Sequence, residues 1–196
     1  MNDSFKKSGP GTGNQVGHLA SKVIHDGRVV HLSLDRVRFP DGSEGELELI
    51  RHRGASAVVP FLSEPTAPDP ELVLIHQYRY AAGGFVYEIP AGIPEDGESW
   101  ESCALRELEE ETGYRCEALK PLTRIFTTPG FTNEEIHIFL ATGLREGSVR
   151  RDKDEFMEVV TLPFSSVLDM VRTGVIQDGK SLVGILLVDR LRRDGM

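Results

Sequence analysis

From Lys22 onward, apolar and polar residues alternate through KVIHDGRVVHLSLDRVRF, on either side of Asp26-Gly27. A period of two places successive side chains on opposite faces of a strand, and Asp-Gly is a strong hairpin signal. The pattern predicts a hairpin with Val23 and Ile24 on one arm and Val29 with residues 31–37 on the other. Pro40-Asp41-Gly42 supplies a second turn, and GELELIRHRG a third strand ending near Gly54. Strands this short bury little by themselves, so this small sheet has to lean on something else. Residues 55–62 form a short apolar run suited to a buried strand, and the proline-rich SEPTAPDPE that follows reads as a surface loop. Strand patterns return at 72–80 and 85–91, separated by a turn at 81–84. After Ser99 the pattern becomes helical, with Ser99 as N-cap, a start at Trp100 and Gly113 as the left-handed stop. Ala104, Leu105 and Leu108 are expected to form the apolar face of this helix. Strands are predicted at 123–127 and 135–142, joined by TPGFTNE. Charged turns then lead to FMEVVTLP, an edge strand ended by Pro163. Helices at 164–172 and at 181–193, the second after an Asp178-Gly179 turn, close the chain.

Strands flanked by helices on a mixed sheet make the fold α/β (α+β). The pattern divides the chain into a Gly/Ser/Asn-rich flexible tail at 1–17, a small N-terminal antiparallel β-domain at 18–54, and an α/β domain at 55–196. No internal repeat is visible. At 196 residues the chain is long enough for a real core, and 39% hydrophobic with 27% charged residues is ordinary for a soluble globular protein. A formal net charge of -9 argues against nucleic acid as a partner. It leaves an anionic substrate open, because a bound metal can reverse the local field in an acidic site. Cys103 and Cys116 are too few for a disulfide framework and lack metal-ligand spacing; Cys103, on the helix, reads as a small buried thiol. With no secretory segment after Met1 and no apolar run long enough to span a bilayer, the expected location is cytoplasmic, with no membrane partner.

The chemistry concentrates in RELEEE at 106–111. Glu107, Glu110 and Glu111 are spaced i, i+3, i+4, which puts three carboxylates on one helix face. Like charges so placed repel by a few tenths of a kcal/mol per pair, roughly, and a divalent cation would offset the repulsion. Oxygen donors alone suit a hard ion, Mg2+ or Mn2+. Taken by itself, such a run is more often a solvated, salt-bridged surface. Its neighbours change that reading.

Gly92-x5-Glu98-x7-Arg106-Glu107-Leu108-x-Glu110-Glu111-x-Gly113-Tyr114 resembles the Nudix box at every fixed position, with only Tyr114 standing where an aliphatic residue is commoner. The resemblance implies a Nudix-like α/β/α sandwich with a mixed sheet. It also implies a loop-helix-loop that holds divalent metal for hydrolysis of a nucleoside diphosphate linked to another moiety. Glu107 and Glu111 would be the main metal ligands and Glu110 a further or water-mediated one. Arg106 would orient a glutamate, and Glu98 would either bind metal or pair with Arg106.

The flanks resemble the ADP-ribose pyrophosphatase subfamily over about residues 22–191. EIPAG at 88–92 is similar to the segment before the box in that group, where the alanine carbonyl, here Ala91, joins the metal shell. Pro129 stands sixteen residues beyond Gly113. The loop after it implies Glu134 as the residue that activates water, with Glu135 as the neighbouring alternative, and a mobile loop there would close over substrate. Arg79 in HQYRYA matches an arginine that contacts substrate phosphate, a task suited to its forked donors. Leu47-Glu48 departs from the Arg-Glu common before the ligand-contacting strand, and Arg51 or Arg53 is left to substitute. The N-terminal β-domain is similar to one that pairs subunits, which implies a homodimer. The expected activity is metal-dependent hydrolysis of ADP-ribose or a related nucleoside diphosphate sugar, giving AMP and a sugar phosphate. GDP-mannose, ADP-glucose or a modified nucleoside triphosphate are the alternative substrates, and a non-catalytic nucleotide-sensing domain is the alternative role.

Overall fold

The alternating N-terminal sequence builds a four-stranded sheet in the computed structural model, which describes residues 6–7, 16–147 and 156–196. Its strands are β1 (Lys6–Lys7), β2 (Gly17–Asp26), β3 (His31–Arg38) and β4 (Glu44–Arg51), antiparallel and in that order. Two register shifts interrupt β2 against β3, between His18 and Ala20 and between Val23 and His25. The expected tail at 1–17 needs one correction. Lys6 and Lys7 pair with Ser21 and Ala20, so a strand precedes the hairpin; the rest of that stretch up to residue 15 lies outside the described residues. This sheet and residues 126–134 form one unit of the chain. Among its described residues only Ala20, Ser33 and Asp35 are buried, as expected of strands too few to enclose a core.

The second unit comprises residues 54–125 and 135–196. Its central strands are β5 (Ala55–Pro60), β6 (Glu71–Arg79), β7 (Gly84–Glu88) and the short β8 (Ala91–Gly92), followed by helix α1 (Trp100–Thr112). After α1 come β9 (Tyr114–Arg115), β10 (Ala118–Phe126), β11 (Glu135–Thr142), β12 (Arg145–Glu146) and β13 (Met157–Pro163). Helices α2 (Phe164–Arg172) and α3 (Gly179–Arg193) end the chain. The charged turns expected before β13 fall partly at 148–155, outside the described residues. One sheet has the order β10-β11-β5-β8, with β5 parallel to β11 and antiparallel to β8; another has the order β13-β6-β7.

Alternation along β5 and β11 explains the layers. Ala55, Ala57, Val59, Ile136, Ile138 and Leu140 share a face with Phe164, Val167, Ile185 and Val188 of α2 and α3. Val58, Phe139 and Ala141 face the other way, onto Ala104 and Leu108 of α1. The sheet is therefore sandwiched between helices, as expected. Complete burial of Leu108 contributes about 2 kcal/mol on transfer grounds. Leu105 does not share this face and stays 43% exposed. One residue is about 100° of helix rotation, so the buried stripe runs through Ala104, Leu108 and Glu111 and passes Leu105 by.

Two strand boundaries also differ from expectation. Residues 85–91 are not one strand: β7 stops at Glu88, and Ala91–Gly92 joins the other sheet against Ser56 and Ala57. Pro90, lacking an N–H, marks the crossing, and its carbonyl accepts from Val58 N at 2.9 Å. β10 begins at Ala118 rather than 123 and runs through Pro121, which is tolerated because β10 is the end strand of its sheet. No helix among the described residues is long and apolar enough to cross a membrane.

Candidate active site

Helix α1 carries the acidic run, and its ends are set as the sequence implies. Ser99 has extended backbone and its side chain accepts from Ser102 N, while Gly113, at φ 77°, accommodates the left-handed turn and donates to Glu109 O. The Ser56 hydroxyl donates to Trp100 O at 2.8 Å, and the Trp100 ring stacks on His137 at 4.2 Å, anchoring the first turn to β5 and β11. The buried stripe that includes Glu111 thereby turns toward β8.

Glu111 is 4% exposed, and its Oε2 accepts from Ala91 N at 2.9 Å. Gly92 gives the neighbouring carboxylate its room: a Cβ there would lie 2.0 Å from Glu107 Oε1, so only glycine lets Glu107 rest against the β8 backbone. Arg106 gathers the remaining acids. Its Nε and Nη2 donate to Glu98 at 3.0 and 2.9 Å, and Nη1 donates to Glu107 at 2.6 Å and Glu110 at 3.0 Å. Nη2 also reaches Ile93 O at 3.1 Å, tying down the loop between β8 and α1. The Glu98 hydrogen bond and the charge of Glu107 outweigh the opposing effect of burial and leave the Arg106 guanidinium holding its proton more tightly than usual. The same bond holds the Glu98 carboxyl below the usual carboxylate range. Glu98 is thus engaged by Arg106, whose other bonds go to Glu107 and Glu110. Cys103 is fully buried, and burial pushes its thiol up to about 11, in keeping with an inert packing role.

Among the described residues, no three His, Cys, Asp or Glu side chains form a ready metal cage. Arg106 engages Glu98, Glu107 and Glu110. The donor set nevertheless fits a hard divalent ion. Three carboxylates meet a single guanidinium, Glu107 lies in the space Gly92 opens, and Glu111 is fixed on the β8 backbone.

Arg79, at the end of β6, makes a two-point bond to Glu88, with Nε to Oε1 at 2.8 Å and Nη2 to Oε2 at 2.9 Å. Its pKa is raised, first by that bond and further by the charges of Glu88, Glu111 and Asp178. Sequence reasoning did not single out Glu88, Lys180 or Asp178. Only the EIPAG segment drew attention to Glu88, and a buried lysine 92 residues away leaves no local signal.

Glu134 and Arg51 belong to the first unit. Arg51 forms an ion pair with Asp35, which is 4% exposed. Thr127 Oγ1 donates to Glu134 Oε2 at 2.8 Å, and His52 Nδ1 lies 3.5 Å from Oε1. The loop bearing Glu134 is not free: Ile50 N donates to Phe131 O at 2.8 Å, and His52 and Asn133 exchange bonds of 2.8 and 3.1 Å. These bonds run the loop along the end of β4. Thr127 and His52 are further residues that sequence reasoning missed. Glu135 opens β11 in the second unit, and its oxygens meet His137 and Arg124 at 3.2 and 3.3 Å.

Comparison with known proteins places these residues in context. The NUDIX domain family profile matches residues 51–182. A methanol dehydrogenase activator of Bacillus methanolicus is 38% identical over 169 residues, covering 85% of this chain and 89% of that protein. An ADP-ribose pyrophosphatase of Bacillus subtilis is 36% identical over the same share of each chain. A crystal structure of an ADP compounds hydrolase superposes with a TM-score of 0.79 at 21% identity, covering 99% of this chain and 98% of the other, a likeness of fold.

Proposed function

The chain belongs to the NUDIX domain family, and from that premise we propose that it hydrolyses the pyrophosphate of ADP-ribose or a related nucleoside diphosphate sugar. The products are a nucleoside monophosphate and a sugar phosphate. The observation that carries this reading is the α1 acidic face, with Glu111 fixed on Ala91 N and Glu107 lodged beside Gly92. Nudix hydrolases generally require a divalent metal, and the all-oxygen donor set favours Mg2+ or Mn2+. Glu107 and Glu111 would hold it, with Glu110 and the Ala91 carbonyl as further donors and Glu98 kept for Arg106. Such an ion neutralises phosphate charge and makes bound water more acidic.

The chain's own groups do the rest. Arg106 keeps the acidic side chains ordered before substrate arrives. Arg79 offers donors to the phosphates, and Arg51 is assigned to substrate as well. Glu134 takes the proton of the attacking water. Glu135 is a weaker choice, since its oxygens already meet Arg124 and His137 at the start of β11. The free thiols of Cys103 and Cys116 fit a cytoplasmic setting, and the acidic balance fits a small-molecule rather than a nucleic-acid partner.

We assign residues 18–54 to subunit pairing, in a homodimer. Val23, Ile24, Val29 and Leu47 are 67, 51, 65 and 47% exposed in the single chain, apolar side chains on and beside a sheet with almost no core of its own. Light scattering on a sizing column should give twice the chain mass, and Val23→Asp with Val29→Asp should shift it to one; a monomeric wild-type protein rejects the assignment.

The function is tested by phosphatase-coupled phosphate release over a panel of ADP-ribose, ADP-glucose, GDP-mannose and modified nucleoside triphosphates, with products identified by mass. ADP-ribose should give the highest kcat/KM, with AMP and ribose 5-phosphate as products and activity abolished by chelation. Preference for a triphosphate would overturn the substrate reading, and binding without turnover would make the protein a sensor.

A further inference from the structure

Glu88 has no part in the roles assigned above, yet it is the best-buried carboxylate of the described residues, at 3% exposure. Two cations share it. Arg79 takes both its oxygens, and Lys180 Nζ donates to Oε2 as well. Lys180, itself 9% exposed, stands in the first turn of α3 and also donates to Asp178 at 3.0 Å. Asp178 caps that helix by accepting from Ser181 N at 3.0 Å, and the Ser181 hydroxyl accepts from Ile89 N at 2.8 Å. The start of α3 is therefore fastened to two successive residues at the end of β7.

Burying a lysine and a carboxylate costs more than a surface pair recovers, and apolar residues of the same volume usually serve stability as well or better. The arrangement calls for another explanation, and Arg79 supplies one. Its Nε and Nη2 are spent on Glu88, which fixes the plane of the guanidinium. Its Nη1 has no partner among the described residues, and the side chain is 44% exposed. A carboxylate paired with Arg79 alone would cancel most of its charge toward an incoming anion. Lys180 draws on the same carboxylate, and on Asp178 as well, so Glu88 is held from two sides and fixes Arg79 within a braced cluster. Burial pushes the Glu88 carboxyl up, but Arg79 and Lys180 outweigh it and keep the group charged.

We propose that Glu88 and Lys180 are positioning residues that hold Arg79 rigid, with one donor edge and its positive charge directed at the pyrophosphate of the substrate. This deepens the nucleotide-sugar reading and rests on it for the identity of the ligand. The gain is preorganisation: an arginine fixed before binding loses less side-chain freedom when the phosphate arrives.

A double-mutant cycle between Lys180 and Arg79 tests this, read by KM and kcat for ADP-ribose and by calorimetric affinity for inorganic pyrophosphate. Lys180→Met should raise KM about tenfold and weaken pyrophosphate to a similar degree, with kcat changing less than about threefold. Lys180→Arg should restore most of the loss. In an Arg79→Ala background the Lys180→Met effect should fall below about twofold, because a residue acting through Arg79 has nothing left to act on. Should Lys180→Met fail to fold, Lys180→Met with Glu88→Gln removes both buried charges and is expected to show the same affinity loss. Unchanged pyrophosphate affinity in a folded variant, or effects that multiply in the Arg79→Ala background, would overturn the proposal. A non-multiplicative pyrophosphate cycle without ADP-ribose hydrolysis would leave the positioning role standing and remove only the substrate assignment.

Discussion

Replacing Glu111 with glutamine is expected to lower kcat/KM about a thousandfold or more, a loss of roughly 4 kcal/mol of transition-state stabilisation. Glutamine preserves the volume of the buried side chain and an oxygen able to accept from Ala91 N, so the β8–α1 contact survives. What disappears is the charge. Since Glu107 and Glu111 repel at i, i+4, its removal should leave melting temperature unchanged or slightly raised. The expected pattern is therefore a folded protein with weakened Mg2+ binding by calorimetry and almost no turnover at ordinary metal concentration. Near wild-type kcat/KM would sink the assignment of the α1 face as the metal site. A collapse of melting temperature would instead make Glu111 a structural group whose loss disables the enzyme indirectly.

Much of this geometry was legible in the sequence because its causes are local. The caps at Ser99 and Gly113 and the clustering of glutamates follow from spacings within one loop and one helix, whereas the sequence left Glu98 open between metal and Arg106, to which it is bonded here. β11 and α2 have the bounds that their apolar patterns imply. What escaped depends on tertiary placement. Pro121 argues against a strand unless the strand is known to lie at a sheet edge. Leu105 looks like a core residue until the position of the sheet settles which side of α1 is covered. Residues 85–91 read as one strand because nothing in the pattern shows that the chain changes sheets at Pro90. The partners of Arg79 were beyond reach for the same reason: Lys180 meets Glu88 only because α3 packs back against the end of β7. His52 likewise becomes a partner of Glu134 only through the pairing of its loop with β4, while Thr127 meets Glu134 across the loop itself.

Replacing Glu134 with glutamine is expected to lower kcat by about a hundredfold or more, the usual worth of a positioned general base, while leaving Mg2+ affinity unchanged. The side chain is well placed for a test of its charge alone. Thr127 Oγ1 holds Oε2 at 2.8 Å, and a glutamine oxygen can accept the same bond, so the loop should keep its course. The bonds from Ile50 to Phe131 and between His52 and Asn133 do not involve the substituted group, which further separates the chemistry from the fold. Glu135→Gln is the internal comparison. Its carboxylate is shared between Arg124 and His137, and losing it should disturb those surface pairs by about 1 kcal/mol or less without a matching loss of kcat. A large effect at Glu135 with none at Glu134 would transfer the base to the neighbour. Small effects at both would mean that water is deprotonated by a group outside this loop, and the resemblance drawn from Pro129 onward would then extend to shape without extending to mechanism.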